Sequence, residues 1–396
     1  MHAEAHVPFY KKRFSDYGFF GKRVENPLDI KKVPPLTRID LQTQWRDMIS
    51  DIHPLQKLSK GSSSGSTGLP VIYYKDSVAS SAGQAANLFG WSLSGWRMNM
   101  KGLHIWGNPS TVNNEWKRWS SRLKARIFEH HKFPAYKLTD GAKFWELFHL
   151  MNREKYDFMD GYTNAIYLFA DFLKQNHLAL EHPVQLVLTT AENLQPYQRE
   201  VIEKAIAPVY DAYGCSEING VAYECNQCHS YHVIDPHVYL EFGDVVDDFG
   251  SRELLITDLD NYAFPLIRYQ LGDLGIPKDG GHDCPTNFTQ IAGVTGRQSD
   301  IIRFRDGGTL SVPSFFGSML LKQINGLKQY QIERVAENLI YVNFVKSEEF
   351  RDRDQQRIKA ALDEYLGNRI HYEIRFLDQI DASPTGKFKL LVDKTI

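Results

Sequence analysis

The run Ser62-Ser63-Ser64-Gly65-Ser66-Thr67-Gly68-Leu69-Pro70 concentrates hydroxyls and glycines in one short stretch. Glycine lets backbone N–H groups come close to an anion, and each hydroxyl adds a donor that can follow phosphate oxygens as they move. A flexible linker has the same composition. The flank favours a binding turn, because Val71-Ile72-Tyr73-Tyr74 is β-branched and aromatic and reads as a strand leaving the loop. No Gly-Lys-Ser/Thr follows, so no lysine stands beside the β- and γ-phosphates and a different phosphate chemistry is needed.

Four later stretches carry groups suited to a nucleotide. Asp211-Ala212-Tyr213-Gly214-Cys215-Ser216-Glu217 reads as a turn that presents a ring, a hydroxyl and a carboxylate together. Tyr213 can stack on a purine, Ser216 can donate to a phosphate oxygen, and Glu217 can hold a magnesium ion bridging phosphates; a plain surface turn is the alternative. Phe264-Pro265-Leu266-Ile267-Arg268-Tyr269-Gln270-Leu271-Gly272-Asp273 ends an apolar strand in a Gly-Asp turn whose carboxylate can accept both ribose hydroxyls. Arg297, in Gly296-Arg297-Gln298-Ser299-Asp300, can hold a phosphate as well as a neighbouring carboxylate. Lys387, in Ser383-Pro384-Thr385-Gly386-Lys387, is a mobile cation on a glycine turn, a place where an ordinary exposed lysine also belongs.

A metal is the second kind of chemistry. Cys225 and Cys228 stand two residues apart, the usual thiolate claw for zinc, and His232 with Cys284 would complete a tetrahedral Cys₃His site. His229 can replace His232, and four unrelated reduced thiols are the competing interpretation. Such a closed site would staple the loop after Glu217 and leave no catalytic opening.

These residues need elements to position them. Thr37 to Leu41 opens a helix, Ser77 to Trp91 has helical spacing, and Gly102 to Gly107 reads as a buried strand ending in a glycine turn. Helix from Phe144 to Met151, strand from Asp157 to Tyr162, helix from Ala165 to Leu173, strand from Val184 to Thr190 and helix from Pro196 to Ala207 follow in alternation. That order implies an α/β fold with a mostly parallel sheet and ligands at the carboxyl ends of its strands. After Asp211, short strands at Val238 to Phe242, Glu253 to Thr257 and Pro265 to Tyr269 suggest an antiparallel, barrel-like β subdomain. Beyond a hinge near Gly296-Arg297, strands at Tyr330 to Glu333, Ile340 to Val345 and His371 to Leu377 flank a charged helix from Glu348 to Leu366, making a small, mobile α+β domain. The expected division is 1–298 for the large domain and 299–396 for the small one.

The whole-chain numbers narrow the partners. With 396 residues, 42% of them hydrophobic and 24% charged, the chain can bury a full core. Forty-six basic and forty-eight acidic side chains leave a net charge of −2, so no global field recruits nucleic acid or an anionic membrane. No basic leader precedes an apolar run and no apolar stretch reaches the roughly eighteen residues of a membrane span, so a cytoplasmic location is expected. Four cysteines in this length do not make a disulfide framework. A homodimer is compatible with all of this.

The order of the motifs carries a resemblance. Hydroxyl loop, Tyr-Gly-x-Ser-Glu, Arg-Tyr-x-x-Gly-Asp, Gly-Arg-x-x-Asp and a terminal Gly-Lys, in register from about Ser62 to Lys387, resemble the adenylate-forming superfamily and specifically its phenylacetate–CoA ligase-like branch. The resemblance implies ATP- and Mg²⁺-dependent conversion of a carboxylic acid to an acyl-adenylate, followed by transfer to coenzyme A, or to an amine as in an indoleacetate–lysine ligase. It also implies roles. Ser63, Ser64, Gly65, Ser66, Thr67 and Gly68 would cradle the pyrophosphate end of ATP, and Tyr213 with Gly214 would meet adenine, with Ala191 and Glu192 lining its edge. Ser216 and Glu217 would serve the phosphates and Mg²⁺, Asp273 the ribose, and Arg297 the phosphate or ribose edge. Lys387, Glu217 and Thr67 would stabilise the charge of attack at the α-phosphorus. Gly161 to Ala165 falls where family members line the acid site, which makes Trp106 and Tyr162 candidate walls for an aryl or indolyl acetate, although such aromatics are more often core packing than substrate walls. Two departures stand out: Ser299 occupies the hinge position where a carboxylate is common, and Phe304 to Thr309 matches the coenzyme A-accepting glycine turn poorly.

Overall fold

The structure is a computed structural model that describes residues 2–19, 27–63, 71–107, 130–135, 138, 141–278, 284, 286–297, 300–306, 308–312, 315–316, 324, 326–367, 369–381 and 389–395. Helices α1 (His2–His6), α2 (Pro8–Asp16) and α3 (Arg38–Gln44) lead to strands β1 (Ser59–Ser63) and β2 (Val71–Lys75) and helix α4 (Ser77–Leu93). An alternating stretch follows: β3 (Gly102–Trp106), β4 (His130–Pro134), α5 (Gly141–Glu154), β5 (Phe158–Tyr162), α6 (Thr163–Gln175), β6 (Leu186–Thr190) and α7 (Pro196–Ala205). Next come β7 (Val209–Cys215), β8 (Asn219–Glu224), β9 (Tyr231–Val233), β10 (Val238–Val245), β11 (Arg252–Asp258), β12 (Tyr269–Pro277) and β13 (Gln290–Arg297). The chain closes with β14 (Ile301–Arg303), β15 (Thr309–Ser311), β16 (Leu327–Ala336), β17 (Leu339–Lys346), α8 (Asp352–Leu366), β18 (His371–Leu377) and β19 (Leu391–Asp393).

Contacts divide the chain into two compact units, the first made of Met1–Ser94, Ala212–Val246 and Gly250–Val294, the second of Gly95–Asp211, Asp247–Phe249 and Thr295–Ile396. The first unit is built on antiparallel pairing: β1 with β2, β8 with β9, β9 with β13, and β10 with β11 with β12. Its core joins Tyr10, Leu36 and Leu41 from the N-terminal segment to Val221, Ile256, Leu266, Tyr269 and Ile291. The Tyr10 hydroxyl donates to the Pro265 carbonyl at 3.0 Å, so this buried ring is both packed and satisfied. Local chemistry sets the helix starts. Thr37 and Asp40 form a capping box on α3, and Asp76 Oδ1 accepts from the Ala79 N–H at 2.8 Å at the start of α4. The small residues of α4 allow close approach to β8, since a Cβ at Gly90 would lie 2.1 Å from the Tyr223 ring.

The second unit holds the parallel strands. β3 pairs with β4 on one side and β5 on the other, and β5 pairs with β6, all parallel. Leu103, Ile105, Met159 and Val187 present one apolar face that packs with Ile166, Phe169 and Leu173 of α6 and Leu147 and Met151 of α5. A second core in this unit lies under β16 to β19, ordered β18-β17-β16-β19, with Ile358, Leu362 and Leu366 of α8 packed against Tyr330, Ile332, Val342 and Phe344. The Tyr167 hydroxyl of α6 donates to the Lys328 carbonyl of β16 at 2.6 Å, and Lys174 pairs with Glu349 at 3.1 Å.

Most expected elements form, and three do not fall where the sequence placed them. Asp211 to Cys215 belongs to strand β7 rather than a turn, because alternate residues there are buried. The strand expected at Pro265 to Tyr269 begins only at Tyr269, since Arg268 adopts φ +52° and breaks the extended run. Gly272-Asp273 is not a terminal turn but lies inside β12, where pairing with β11 slips between Glu253↔Leu274 and Leu255↔Gln270 and Gly272 takes φ +84°.

Candidate active site

In the first unit, three elements bring hydroxyls to one buried carboxylate. Glu217 is 3% exposed and accepts from Ser63 Oγ of β1 at 2.9 Å, from Ser216 Oγ at 3.1 Å and, more distantly, from the Tyr269 hydroxyl of β12 at 3.5 Å. Lys75 at the end of β2 donates to the Ser216 carbonyl at 3.2 Å, and burial pulls its ammonium below the usual lysine range. The Tyr213 hydroxyl donates to Asp273 Oδ2 at 3.0 Å, with both side chains buried. Residues far apart in sequence thus form one polar set at the end of β7: Ser63, Tyr213, Ser216, Glu217 and Asp273.

The backbone is shaped to allow this. Between Tyr213 and Gly214 the pairing of β7 with β8 shifts register, and a Cβ at Gly214 would meet the Asn219 carbonyl oxygen at 2.4 Å. Glycine is therefore required by a backbone approach, and Asn219, at φ +87°, absorbs the tight return into β8. Glu217 with its hydroxyl neighbours supplies the hard oxygen donors that Mg²⁺ takes.

The cysteine cluster lies in the same unit. One ligand atom from each of Cys225, Cys228, His232 and Cys284 falls within 4.8 Å of every other. The Cys225 and Cys284 sulfurs are 3.6 Å apart, and Cys228 Sγ is 3.3 Å from His232 Nε2. A tetrahedron with zinc–sulfur bonds of about 2.3 Å has edges of about 3.8 Å, so three thiols and an imidazole fit zinc in both donor type and spacing. His229 is not in the cluster; its Nδ1 faces Glu224 at 3.8 Å and its side chain is exposed.

The second unit carries the other expected residues. Ala191 and Glu192 follow β6, with Ala191 at φ +69°, a conformation few non-glycine residues adopt. Glu192 pins the start of α6: its Oε2 accepts from the Asn164 N–H at 2.8 Å and its carbonyl from Thr163 Oγ1 at 3.0 Å. Trp106 and Tyr162, at the carboxyl ends of β3 and β5, pack with ring centroids 4.4 Å apart. Burial, and then the Glu192 charge, raise the Tyr162 phenol above its ordinary range. Arg297 is exposed, and its N–H donates to Asp300 Oδ2 at 3.1 Å. Ser64, Gly65, Ser66, Thr67, Gly68, Ser299 and Lys387 lie outside the described residues.

Sequence reasoning missed one pair here. His104 Nδ1 and Asp160 Oδ2 are 2.5 Å apart, side by side on β3 and β5. The signal was alternation: in Gly102-Leu103-His104-Ile105-Trp106 the histidine shares a face with Trp106, and Asp160 is a carboxylate inside an apolar strand.

Residues 309–394 match the CapK C-terminal domain family. Protein CapK of Staphylococcus aureus is 22% identical over 413 residues, covering 97% of this chain and 84% of that protein. A phenylacetate–coenzyme A ligase of Pseudomonas putida is 22% identical over 98% of this chain and 88% of its own length. Among solved structures, 2-hydroxyisobutyryl-CoA ligase in complex with 2-HIB-AMP superposes with a TM-score of 0.77 at 17% identity, covering 100% of this chain and 87% of that one. No helix among the described residues is long and apolar enough to cross a membrane. In motif order, fold and sequence relatives alike, the chain is similar to adenylate-forming enzymes, and among them to the phenylacetate–coenzyme A ligases.

Proposed function

We propose that the protein activates a carboxylic acid with ATP and passes the acyl group to coenzyme A. The convergence of Ser63, Tyr213, Ser216, Glu217 and Asp273 in one polar set, with the Tyr213, Glu217 and Asp273 side chains buried, supports this reading most strongly. In the first step a carboxylate oxygen attacks the α-phosphorus, the new O–P bond forms as the bond to the bridging oxygen breaks, and pyrophosphate leaves. In the second, a thiol attacks the acyl carbon and AMP departs. Both steps depend on positioning and charge neutralisation rather than on covalent help from the protein.

The residues divide that work. Ser63 to Gly68 hold the pyrophosphate end, Tyr213 and Gly214 meet adenine with Ala191 and Glu192 at its edge, Asp273 takes the ribose hydroxyls, and Arg297 takes the phosphate or ribose edge. Bound Mg²⁺ would neutralise phosphate charge, and Glu217, already surrounded by hydroxyls, would hold it. Lys387 and Thr67 stabilise the charge that builds at the α-phosphorus. Trp106 and Tyr162 wall the acid, which we take to be an aryl or indolyl acetate. Cys225, Cys228, His232 and Cys284 would hold zinc, which would tie the chain after β8 to the segment before β13. Residues 299–396 act as a lid on residues 1–298, with Gly296, at φ +125°, able to absorb the rotation.

An amine acceptor is the second reading, favoured by the poor match of Phe304 to Thr309 to the coenzyme A turn. In the structure the Phe304 N–H donates to the Gly308 carbonyl at 2.9 Å, closing this segment into the link between β14 and β15. Carboxylate-dependent ATP–pyrophosphate exchange tests the first step, and AMP release with coenzyme A against single amino acids tests the second. Exchange unaffected by Lys387→Ala would remove that lysine's role, and the absence of exchange with every acid would end the proposal.

A further inference from the structure

His104 and Asp160 form a polar pair directly beneath the two aromatic residues assigned above to the acid. Along β3, His104 precedes Trp106 by two residues, and along β5, Asp160 precedes Tyr162 by two, so the pair sits about 7 Å further from the strand ends on the same face. The His104 ring stacks on Trp106 with centroids 5.0 Å apart and planes at 16°, and Trp106 in turn packs on Tyr162. Reaction takes place beyond the carboxyl ends of parallel strands, so whatever touches His104 is the far end of the acyl group rather than its carboxylate.

The chemistry of the pair specifies that far end. A carboxylate oxygen accepts, so Asp160 Oδ2 favours the ring form with its proton on His104 Nδ1, and in that tautomer Nε2 presents a lone pair. Nε2 has no hydrogen-bond partner among the described residues. Asp160 is 3% exposed, and its other oxygen, Oδ1, is buried without a partner among them, which keeps the pair electron-rich. Lys132, the register neighbour of His104 on β4, is exposed, and Leu188, the neighbour of Asp160 on β6, is apolar, so neither register neighbour supplies a buried donor. A purely hydrocarbon acyl tail would leave Nε2 unpaired, which a dry pocket penalises.

Resting on the acyl-adenylate reading, we propose that His104 is a specificity-determining residue that accepts a hydrogen bond from a hydroxyl or amino group at the distal end of the acid, with Asp160 as its positioning residue. The preferred acid is therefore a hydroxylated or aminated member of the aryl or indolyl class.

The test uses the full chain with matched acids: phenylacetate against 4-hydroxyphenylacetate, and indole-3-acetate against 5-hydroxyindole-3-acetate. 4-Carboxyphenylacetate serves as the anionic control. Pyrophosphate exchange should favour the hydroxylated member of at least one pair by about tenfold in kcat/KM, carried by KM, a factor that corresponds to one good hydrogen bond. His104→Phe should cut that preference to below about threefold, His104→Gln, which keeps an acceptor, should restore part of it, and Asp160→Asn should weaken it. Calorimetric titration of the same acids reports the preference without chemistry, so loss of exchange with all acids would strike the adenylation reading while binding still decides the dyad. Equal handling of both members of every pair, a preference unchanged in His104→Phe, or a preference for the anionic control would overturn the proposal.

Discussion

Removing the Tyr213 hydroxyl should be felt twice, in stability and in ATP use. The hydroxyl donates to Asp273 Oδ2 at 3.0 Å, and the two side chains are 8% and 5% exposed, so water cannot easily replace the lost donor. Hydrogen bonds to charged acceptors are worth about 1.5–3 kcal/mol, and Tyr213→Phe leaves ring packing nearly intact, so the cost should fall in that range. Tyr213→Phe, Asp273→Asn and the double variant form a cycle in which urea unfolding should give a coupling of about 1–2 kcal/mol. If Asp273 takes the ribose, loosening it should also raise KM for ATP by about five- to thirtyfold, the factor that about 1–2 kcal/mol commands. A coupling under about 0.5 kcal/mol would mean the contact carries no energy. Coupling in stability with an unchanged KM would refute the ribose role of Asp273.

Gly214→Ala should destabilise the protein by about 2 kcal/mol or more and abolish exchange, because its Cβ would meet a backbone oxygen that cannot rotate away; a wild-type melting temperature would contradict the register shift at β7. Metal analysis of freshly purified protein should find one zinc per chain, and chelation should lower thermal stability. Cys225→Ser should do the same, whereas protein free of stoichiometric metal would refute the site. The lowered pKa of Lys75 has a definite sign. Between its folded value and the ordinary lysine value of about 10.5 the unfolded chain binds more protons, so this group makes stability rise with pH across that window. The stability of wild type relative to Lys75→Met should therefore rise in alkaline solution below pH 10.5, and a flat difference would mean that the buried ammonium carries no penalty.

Much of the architecture was legible because periodicity is local. Apart from β4, which the sequence reading did not anticipate, the alternation of β3 to α7 followed from apolar spacing, and β18 begins and ends at His371 and Leu377 as expected. The nucleotide motifs were legible as types: small residues, a ring, carboxylates. Their local geometry was not, since the run at Asp211 resembles a turn in isolation yet becomes β7 when β8 offers it partners. Arg268 shows the reverse, with a left-handed backbone breaking what reads as a continuous strand.

Composition, periodicity and motif order by themselves determined that this chain is an α/β protein with hydroxyl, tyrosine, carboxylate and cysteine groups suited to ATP and to a metal. Only the tertiary structure decided which of them meet. Ser63 reaches Glu217, Tyr213 reaches Asp273, His232 rather than His229 joins the cysteines, and Asp160 claims His104. The physical reason is that a residue's type is written locally, whereas hydrogen-bond and ligand partners are set by strand register and burial, and those arise only when distant segments pack.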